Sequence, residues 1–318
     1  MVYSVIIPVY NEEEVVIEAY KRLSAIMQSM EEEYELIFVN DGSRDCTGQI
    51  VAEIILEDTN VRLINLARNF GQMSAITAGM EYAAGEAVII IDADLQDPPE
   101  VLPNMAALWK EGYDVVYGKR KERQGEGIFK EWSAKLFYRL INSMVPIELP
   151  VDTGEFRLMD RKVCDAVNRL NEKHRYIRGL VSWVGFRQTA YEYVRVERFA
   201  GSTKYPLKKM ISFAMDAITA FSYKPLKLAT TLGFTISLFS FVYMIIILWQ
   251  RLFTDTTIEG WASTVGLILF TQGIVLMILG LMGEYIGRIF EEIKNRPVYI
   301  VQEVLGYDEN DKKGKFVK

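Results

Sequence analysis

The 318-residue chain has almost none of the residues from which several common kinds of site are built. It holds one histidine, His174, and two widely separated cysteines, Cys46 and Cys164. That excludes a His- or Cys-rich zinc centre and argues against a Ser-His-Asp triad. The cysteines are expected to be free thiols, used for packing in a reducing compartment. Positive charge is also scarce: Lys and Arg number 36 against 42 Asp and Glu, for a net charge of −6. That acidic balance argues against a nucleic-acid binder, which usually carries a basic face. No Gly-x-Gly-x-x-Gly follows the first apolar run and no Walker A sequence occurs, which argues against a dinucleotide dehydrogenase and a P-loop ATPase. Met1–Tyr10 has no basic n-region, and its apolar run is too short for a signal sequence. It reads as a strand, and the first domain is expected to stay in the cytoplasm.

What the chain does have is alternation. Half of its residues are apolar, enough for one sizeable α/β domain and something smaller. Tyr3–Pro8, Tyr34–Asn40, Val61–Leu66, Ala87–Ile91 and Asp114–Gly118 read as strands. Glu12–Met30, Cys46–Glu57, Gly71–Ala84 and Glu100–Glu111 carry helical periodicity between them. Strand and helix repeated this way predict a mostly parallel sheet covered on both faces, which binds ligands at the carboxyl ends of its strands. Those ends are polar: Pro8-Val9-Tyr10-Asn11-Glu12, Asn40-Asp41-Gly42-Ser43 and Asp92-Ala93-Asp94-Leu95-Gln96-Asp97. One such loop means only a turn. Three on one rim point to a site.

From Leu226 the character changes. The stretches 226–249 and 261–283 are nearly free of charge. Each is about 22 residues, or roughly 33 Å as helix, enough for a hydrocarbon core of about 30 Å. Lys208, Lys209, Lys224 and Lys227 precede the pair, and Arg288, Lys294 and Arg296 follow it, whereas the connecting loop has Arg251 alone. This distribution predicts a transmembrane hairpin with both ends in the cytoplasm and Trp249 and Trp261 at the far interface. Residues 206–225 read as an amphipathic helix, placed at the membrane interface in preference to packing on the soluble domain. The expected domains are therefore 1–205, catalytic; 206–225, interfacial; 226–287, hairpin; and 288–318, a cytoplasmic tail whose end, Asp308–Lys318, is disordered.

Asp92 and Asp94 sit two apart where a buried strand ends, so extended backbone projects both carboxylates to one side. With Gln96 beside them they suit a hard divalent cation, Mg²⁺ or Mn²⁺, which can bridge a diphosphate.

Four segments in order carry a resemblance. Val5-Ile6-Ile7-Pro8-Val9-Tyr10-Asn11-Glu12-Glu13, Val39-Asn40-Asp41-Gly42-Ser43, Asp92-Ala93-Asp94-Leu95-Gln96-Asp97-Pro98-Pro99 and Asp152-Thr153-Gly154-Glu155-Phe156-Arg157-Leu158 resemble the family 2, GT-A fold, inverting glycosyltransferases. Within that family the chain resembles the polyprenyl-phosphate branch, the dolichol-phosphate mannose synthases and bactoprenol glucosyltransferases. The resemblance covers nearly the whole chain, hairpin included. It implies a GT-A catalytic domain that moves a sugar from a nucleotide-sugar onto a polyprenyl phosphate. UDP-glucose is the favoured donor, GDP-mannose the second, and undecaprenyl phosphate the acceptor. Pro8, Tyr10, Glu12, Asp41 and Ser43 would hold the nucleoside, and Asp92, Asp94 and Gln96 the metal and diphosphate. Arg120, just past a strand end, Lys130, Ser133 and Arg198 would hold the acceptor phosphate. Asp152 and Glu155 are both candidates for the carboxylate at the reacting centre; many relatives have Asp where this chain has Glu155. The resemblance also implies a cytoplasmic-membrane protein that forms homo-oligomers, tetramers among its relatives. Two other readings are a transferase acting on a different lipid or polysaccharide, and a non-catalytic membrane scaffold with a degenerate transferase domain.

Overall fold

A computed structural model describes residues 1–121, 153–194, 222, 224–253 and 260–307. These fall into two compact units, one containing 1–121, 153–194 and 296–307, the other 222, 224–253 and 260–295.

The first unit is an eight-stranded sheet. Its strands are β1 (Tyr3–Val9), β2 (Tyr34–Asn40), β3 (Val61–Leu66), β4 (Ala87–Ile90), β5 (Val115–Arg120), β6 (Thr153–Asp160), β7 (Gln188–Tyr193) and β8 (Val301–Leu305), in the order β7-β5-β6-β4-β1-β2-β3-β8. The helices are α1 (Val16–Ser29), α2 (Thr47–Glu57), α3 (Gln72–Tyr82), α4 (Leu102–Lys110), α5 (Arg161–Asn168) and α6 (Ile177–Trp183). Strands β4, β1, β2 and β3 are parallel. Every residue of β2 is buried, as a central strand covered on both faces requires.

This order places the site. From β1 the chain winds outward through β2 and β3, then returns to add β4 on the other side of β1. The reversal opens a crevice between the carboxyl ends of β1 and β4, the usual ligand position in such sheets. Pro8 fits there despite lying in a central strand. Val9 O accepts from Asp41 N, so Val9 faces β2 and Pro8 faces the β4 side. The β1–β4 ladder ends with Ile91 N donating to Ile6 O (3.1 Å), and Pro8, which has no N–H, adds no further bond to β4.

Strand β6 runs antiparallel between β4 and β5. Its register with β4 ends at Ile90–Arg157, so Thr153–Phe156 project past β4 onto the same rim. Strand β5 is longer than the sequence pattern predicts: Arg120 is its last residue, paired with Tyr193 of β7, and not a loop residue beyond it. Helix α1 starts four residues later than expected. The N–H groups of Glu12 and Glu13 bond to Thr47 Oγ1 (2.9 Å) and Asp45 Oδ2 (3.3 Å) of the neighbouring loop, and helix begins only beyond them.

The second unit contains α7 (Lys224–Phe253) and α8 (Trp261–Ile293), both long and apolar enough to cross a membrane. Phe234, Phe239, Leu276 and Met277 are exposed on them. Helix α8 runs well past residue 283, and beyond it charged residues appear, with Arg288 Nε 3.2 Å from Glu284 Oε1. Of the amphipathic segment 206–225, residues 206–221 and 223 lie outside the described residues, as does 308–318.

The segment 288–318, expected to be a tail, contains the end of α8 and then β8, which pairs antiparallel with β3. Tyr299 Oη donates to Glu81 Oε2 (2.7 Å), Asn65 Nδ2 to Glu303 Oε2 (3.3 Å), and Arg62 lies over the Tyr307 ring at 5.7 Å. The first unit is thus assembled from chain on both sides of the hairpin. As an edge strand in which only Val304 is buried, β8 shows almost no hydrophobic alternation.

Gly79 of α3 packs on β1, and a Cβ there would collide with Cγ2 of Ile6, a branched side chain that cannot swing away. Gly79→Ala is expected to destabilise the fold by about 1–3 kcal/mol despite the better helix propensity of alanine. Thermal unfolding that shows equal or higher stability would contradict this packing.

Candidate active site

The loops after β1 and β2 are laced together. Asn11, in the left-handed region at φ 54°, donates its N–H to Ser43 Oγ (3.0 Å) and accepts from Arg44 N at Oδ1 (2.9 Å). Cys46 N donates to Glu13 Oε2 (2.9 Å); Cys46 itself is exposed just ahead of α2, not packed as expected, whereas Cys164 is buried. Glu12 and Ser43 therefore belong to one framework, and the Tyr10 ring beside them is exposed.

Asp41 is buried, and its two oxygens accept the N–H groups of Phe70 (2.7 Å) and Gly71 (2.8 Å). Burial pushes its carboxyl up, and these two hydrogen bonds oppose that. The loop it pins leads directly into α3. Gly42, at φ 67°, lets the backbones touch, because a Cβ would strike the carbonyl carbon of Arg68. A cavity of about 410 Å³ behind this loop is lined by Asn40, Ser43, Asp45, Asn65, Arg68 and, from β8, Glu303.

The first residue of α3 joins this half of the rim to the other: Gln72 Nε2 donates to Asp92 Oδ1 (2.7 Å). Asp94 Oδ1 accepts Gln96 N (3.1 Å) across Leu95, which is held at φ 57°. That conformation is costly for a branched residue and characteristic of functional turns. Asp92 is pushed up to about 7, first by burial, then by Asp97, Asp94 and Glu155. Three other carboxylates therefore act on Asp92 at this rim. Among the described residues, no three Asp, Glu, His or Cys side chains are arranged to hold a metal unaided. The pair Asp92–Asp94 fits a cation whose remaining ligands come from a bound phosphate, as Mg²⁺ commonly has.

The other two carboxylates have basic partners. Glu155 is buried; Oε1 lies 2.6 Å from Arg178 Nε and Oε2 3.4 Å from Arg157 Nη2. Arg178 also donates to Thr153 O (2.7 Å), and Arg157 to the carbonyls of Gly154 and Glu155 (both 3.1 Å). Asp97 accepts from Tyr193 Oη and pairs with Arg120 (3.4 Å). Burial works against the charge of Arg120, but Asp97 and Tyr193 outweigh it and hold its pKa above the ordinary value.

The expected residues Pro8, Tyr10, Glu12, Asp41, Ser43, Asp92, Asp94, Gln96, Arg120 and Glu155 all lie on the carboxyl rim of the sheet. Lys130, Ser133, Asp152 and Arg198 lie outside the described residues. Sequence reasoning missed roles for Gln72, Asp97, Arg157, Arg178 and Tyr193. Asp97 and Arg157 stand inside the quoted motifs, where a buried charge beside a motif carboxylate was the available signal. Nothing local marks Arg178, which is 23 residues from Glu155 in sequence.

Comparison with known proteins gives two family matches: Glycosyl transferase family 2 over residues 4–167, and the GtrB C-terminal hairpin over residues 224–289. An uncharacterized glycosyltransferase of Bacillus subtilis is 57% identical over 96% of this chain and 95% of its own. A prophage-derived bactoprenol glucosyl transferase of Shigella flexneri is 39% identical over 95% and 98%. Among solved structures, S. aureus TarS in complex with UDP-GlcNAc aligns with TM-score 0.46 and 21% identity over 69% of this chain and 66% of that one. The fold class expected from the sequence, a GT-A α/β domain with a C-terminal two-helix hairpin, is the one found.

Asp92 has a consequence for stability. An unfolded Asp titrates near 3.9, whereas the folded group titrates at about 7. Between about pH 4 and 7 the folded state keeps a proton that the unfolded state loses, so stability falls as pH rises through that window and stays low above it. In metal-free buffer, Asp92→Asn is expected to match the parent near pH 4 and exceed it by about 1–3 kcal/mol above pH 7. A stability difference that does not change with pH would contradict the buried, crowded carboxyl.

Proposed function

The chain belongs to glycosyl transferase family 2, and we propose that it transfers one sugar from a nucleotide-sugar to a polyprenyl phosphate at the cytoplasmic face of a membrane. UDP-glucose is the favoured donor, GDP-mannose the second, and undecaprenyl phosphate the acceptor. The observation that carries this reading is the meeting, on one rim, of a carboxylate pair suited to a metal–diphosphate and a guanidinium suited to a phosphate. The relatives named for transfer to bactoprenol and the two membrane-length helices support it.

A phosphate monoester is largely dianionic near pH 7, so its oxygen is already a nucleophile and needs positioning more than a base. That oxygen attacks the anomeric carbon, the bond to the donor diphosphate breaks, and the configuration inverts. Asp92 and Asp94, with Gln96, would hold Mg²⁺ or Mn²⁺, which would supply positive charge against the departing diphosphate. Pro8, Tyr10, Glu12 and Ser43 line the nucleoside side, and Asp41 sets its far wall by fixing Phe70 and Gly71. Arg120 holds the acceptor phosphate together with Lys130, Ser133 and Arg198. With Arg178 and Arg157 on its two oxygens, Glu155 orients and balances charge instead of accepting a proton. Asp152, outside the described residues, is the alternative candidate for the carboxylate at the reacting centre.

The hairpin crosses the membrane and returns. That strand β8, beyond the hairpin in sequence, lies in the same sheet as β1–β7 supports this reading. The basic flanks put both ends of the hairpin in the cytoplasm. Confinement of a lipid acceptor to the same surface raises its effective concentration at the site.

Full-length protein in detergent, given Mg²⁺ or Mn²⁺, undecaprenyl phosphate and separately UDP-glucose, UDP-galactose, UDP-N-acetylglucosamine or GDP-mannose, is expected to form a lipid-phosphate-sugar from one donor. Mass spectrometry reads the product. Asp94→Asn should lower turnover at least about 100-fold. No product from any donor would reject the acceptor.

A further inference from the structure

Arg120 ends β5, and its partner in register on β7 is Tyr193. The Tyr193 hydroxyl donates to Asp97 Oδ1, on a carboxylate only 1% exposed. Arg120 reaches the same two groups, but loosely: Nε is 3.3 Å from Tyr193 Oη and Nη2 is 3.4 Å from Asp97 Oδ1. Charge-assisted pairs usually close to about 2.7–2.9 Å, often with two parallel bonds. The guanidinium here is steered without being consumed, and its Nη1 makes no hydrogen bond to the described residues.

The looseness is built in. Gly154 of β6 leaves the space the guanidinium occupies, since a Cβ there would lie 2.8 Å from Arg120 Nη2. The Tyr193 ring is held independently of its hydroxyl. It packs edge-on against Phe156, with centroids 5.6 Å apart at 88°. A Cβ on Gly118 would meet both rings, at 2.6 Å from Phe156 Cδ1 and 2.8 Å from Tyr193 Cε1. Ring packing therefore puts the hydroxyl on Asp97 Oδ1, where Arg120 would otherwise close up into a tight buried ion pair.

We propose that Tyr193, with Asp97 and Gly154, is a positioning residue that keeps the Arg120 guanidinium open for the phosphate of the acceptor. The inference rests on the reading that Arg120 meets that phosphate. An arriving dianion draws Arg120 into short charge-assisted bonds, and the Tyr193 hydroxyl stays behind to satisfy Asp97, a carboxylate that would be costly to strand. Without the hydroxyl, Arg120 and Asp97 collapse together and the phosphate must compete with a buried carboxylate.

The test uses full-length protein in detergent, with farnesyl phosphate as a soluble acceptor head and farnesol as the same chain without phosphate. Calorimetry should show the parent preferring farnesyl phosphate by at least about tenfold, and Tyr193→Phe lowering that preference about 5- to 20-fold. UDP affinity and melting temperature should hardly move. Adding Asp97→Asn to Tyr193→Phe removes the competing charge and should restore phosphate binding, a rescue that a purely structural role would not produce. An unchanged preference in Tyr193→Phe, parallel loss of UDP and phosphate binding, or no rescue in the double variant would each overturn the proposal. No phosphate preference in the parent would overturn it together with the role of Arg120. An intact preference without sugar transfer would reject the proposed reaction and leave the positioning role standing.

Discussion

Four carboxylates gather on one rim, Asp97 and Glu155 buried and Asp92 and Asp94 half-buried, and the other three all act on Asp92. Burial and these neighbours push its carboxyl up to about 7. The other three are each tied to a specific partner. Asp94 closes a turn strained at Leu95, Asp97 takes the Tyr193 hydroxyl, and Glu155 takes two arginines. Like charges brought together out of water raise the energy of the folded state unless something of opposite sign arrives. A cation at this rim would relieve that cost, and this is the physical basis for the metal-dependent reading.

The backbone makes the crowding achievable. Strand order reverses between β1 and β4, and β6 enters antiparallel so that its first residues reach past the end of β4. Asp92 and Glu155 thus come from distant sequence to one rim with no loop needing to fold inward. Helix α3 couples the two sides: Asp41 fixes the backbone at Gly71, and Gln72 bonds to Asp92.

Much of this was legible in the sequence because it follows from local pattern. Predominantly apolar runs in β1 and β2, and the interrupted one in β3, announced parallel strands, and the polar ends of β1 and β2 announced the rim. Spacing singles out Asp92, Asp94 and Gln96, but β4 ends at Ile90 and a turn, not extended strand, carries Asp94. Illegible features were those whose cause lies elsewhere in the chain. Arg178 is a surface-type residue until β6 brings Glu155 against it. Strand β8 has one buried side chain and is recognisable only beside the free edge of β3. Cys46 looked like packing because an exposed cysteine beside a helix start has no sequence signature.

The central claim is that this rim recognises an anionic nucleotide by way of a divalent cation. Calorimetric titration of the full-length protein with UDP and with GDP, in Mn²⁺ and again in a chelator, tests it most directly. The account predicts that one nucleotide binds in Mn²⁺ and that its affinity drops at least about tenfold when the cation is removed. Equal affinity in both conditions, or no binding of either nucleotide in Mn²⁺, would contradict it.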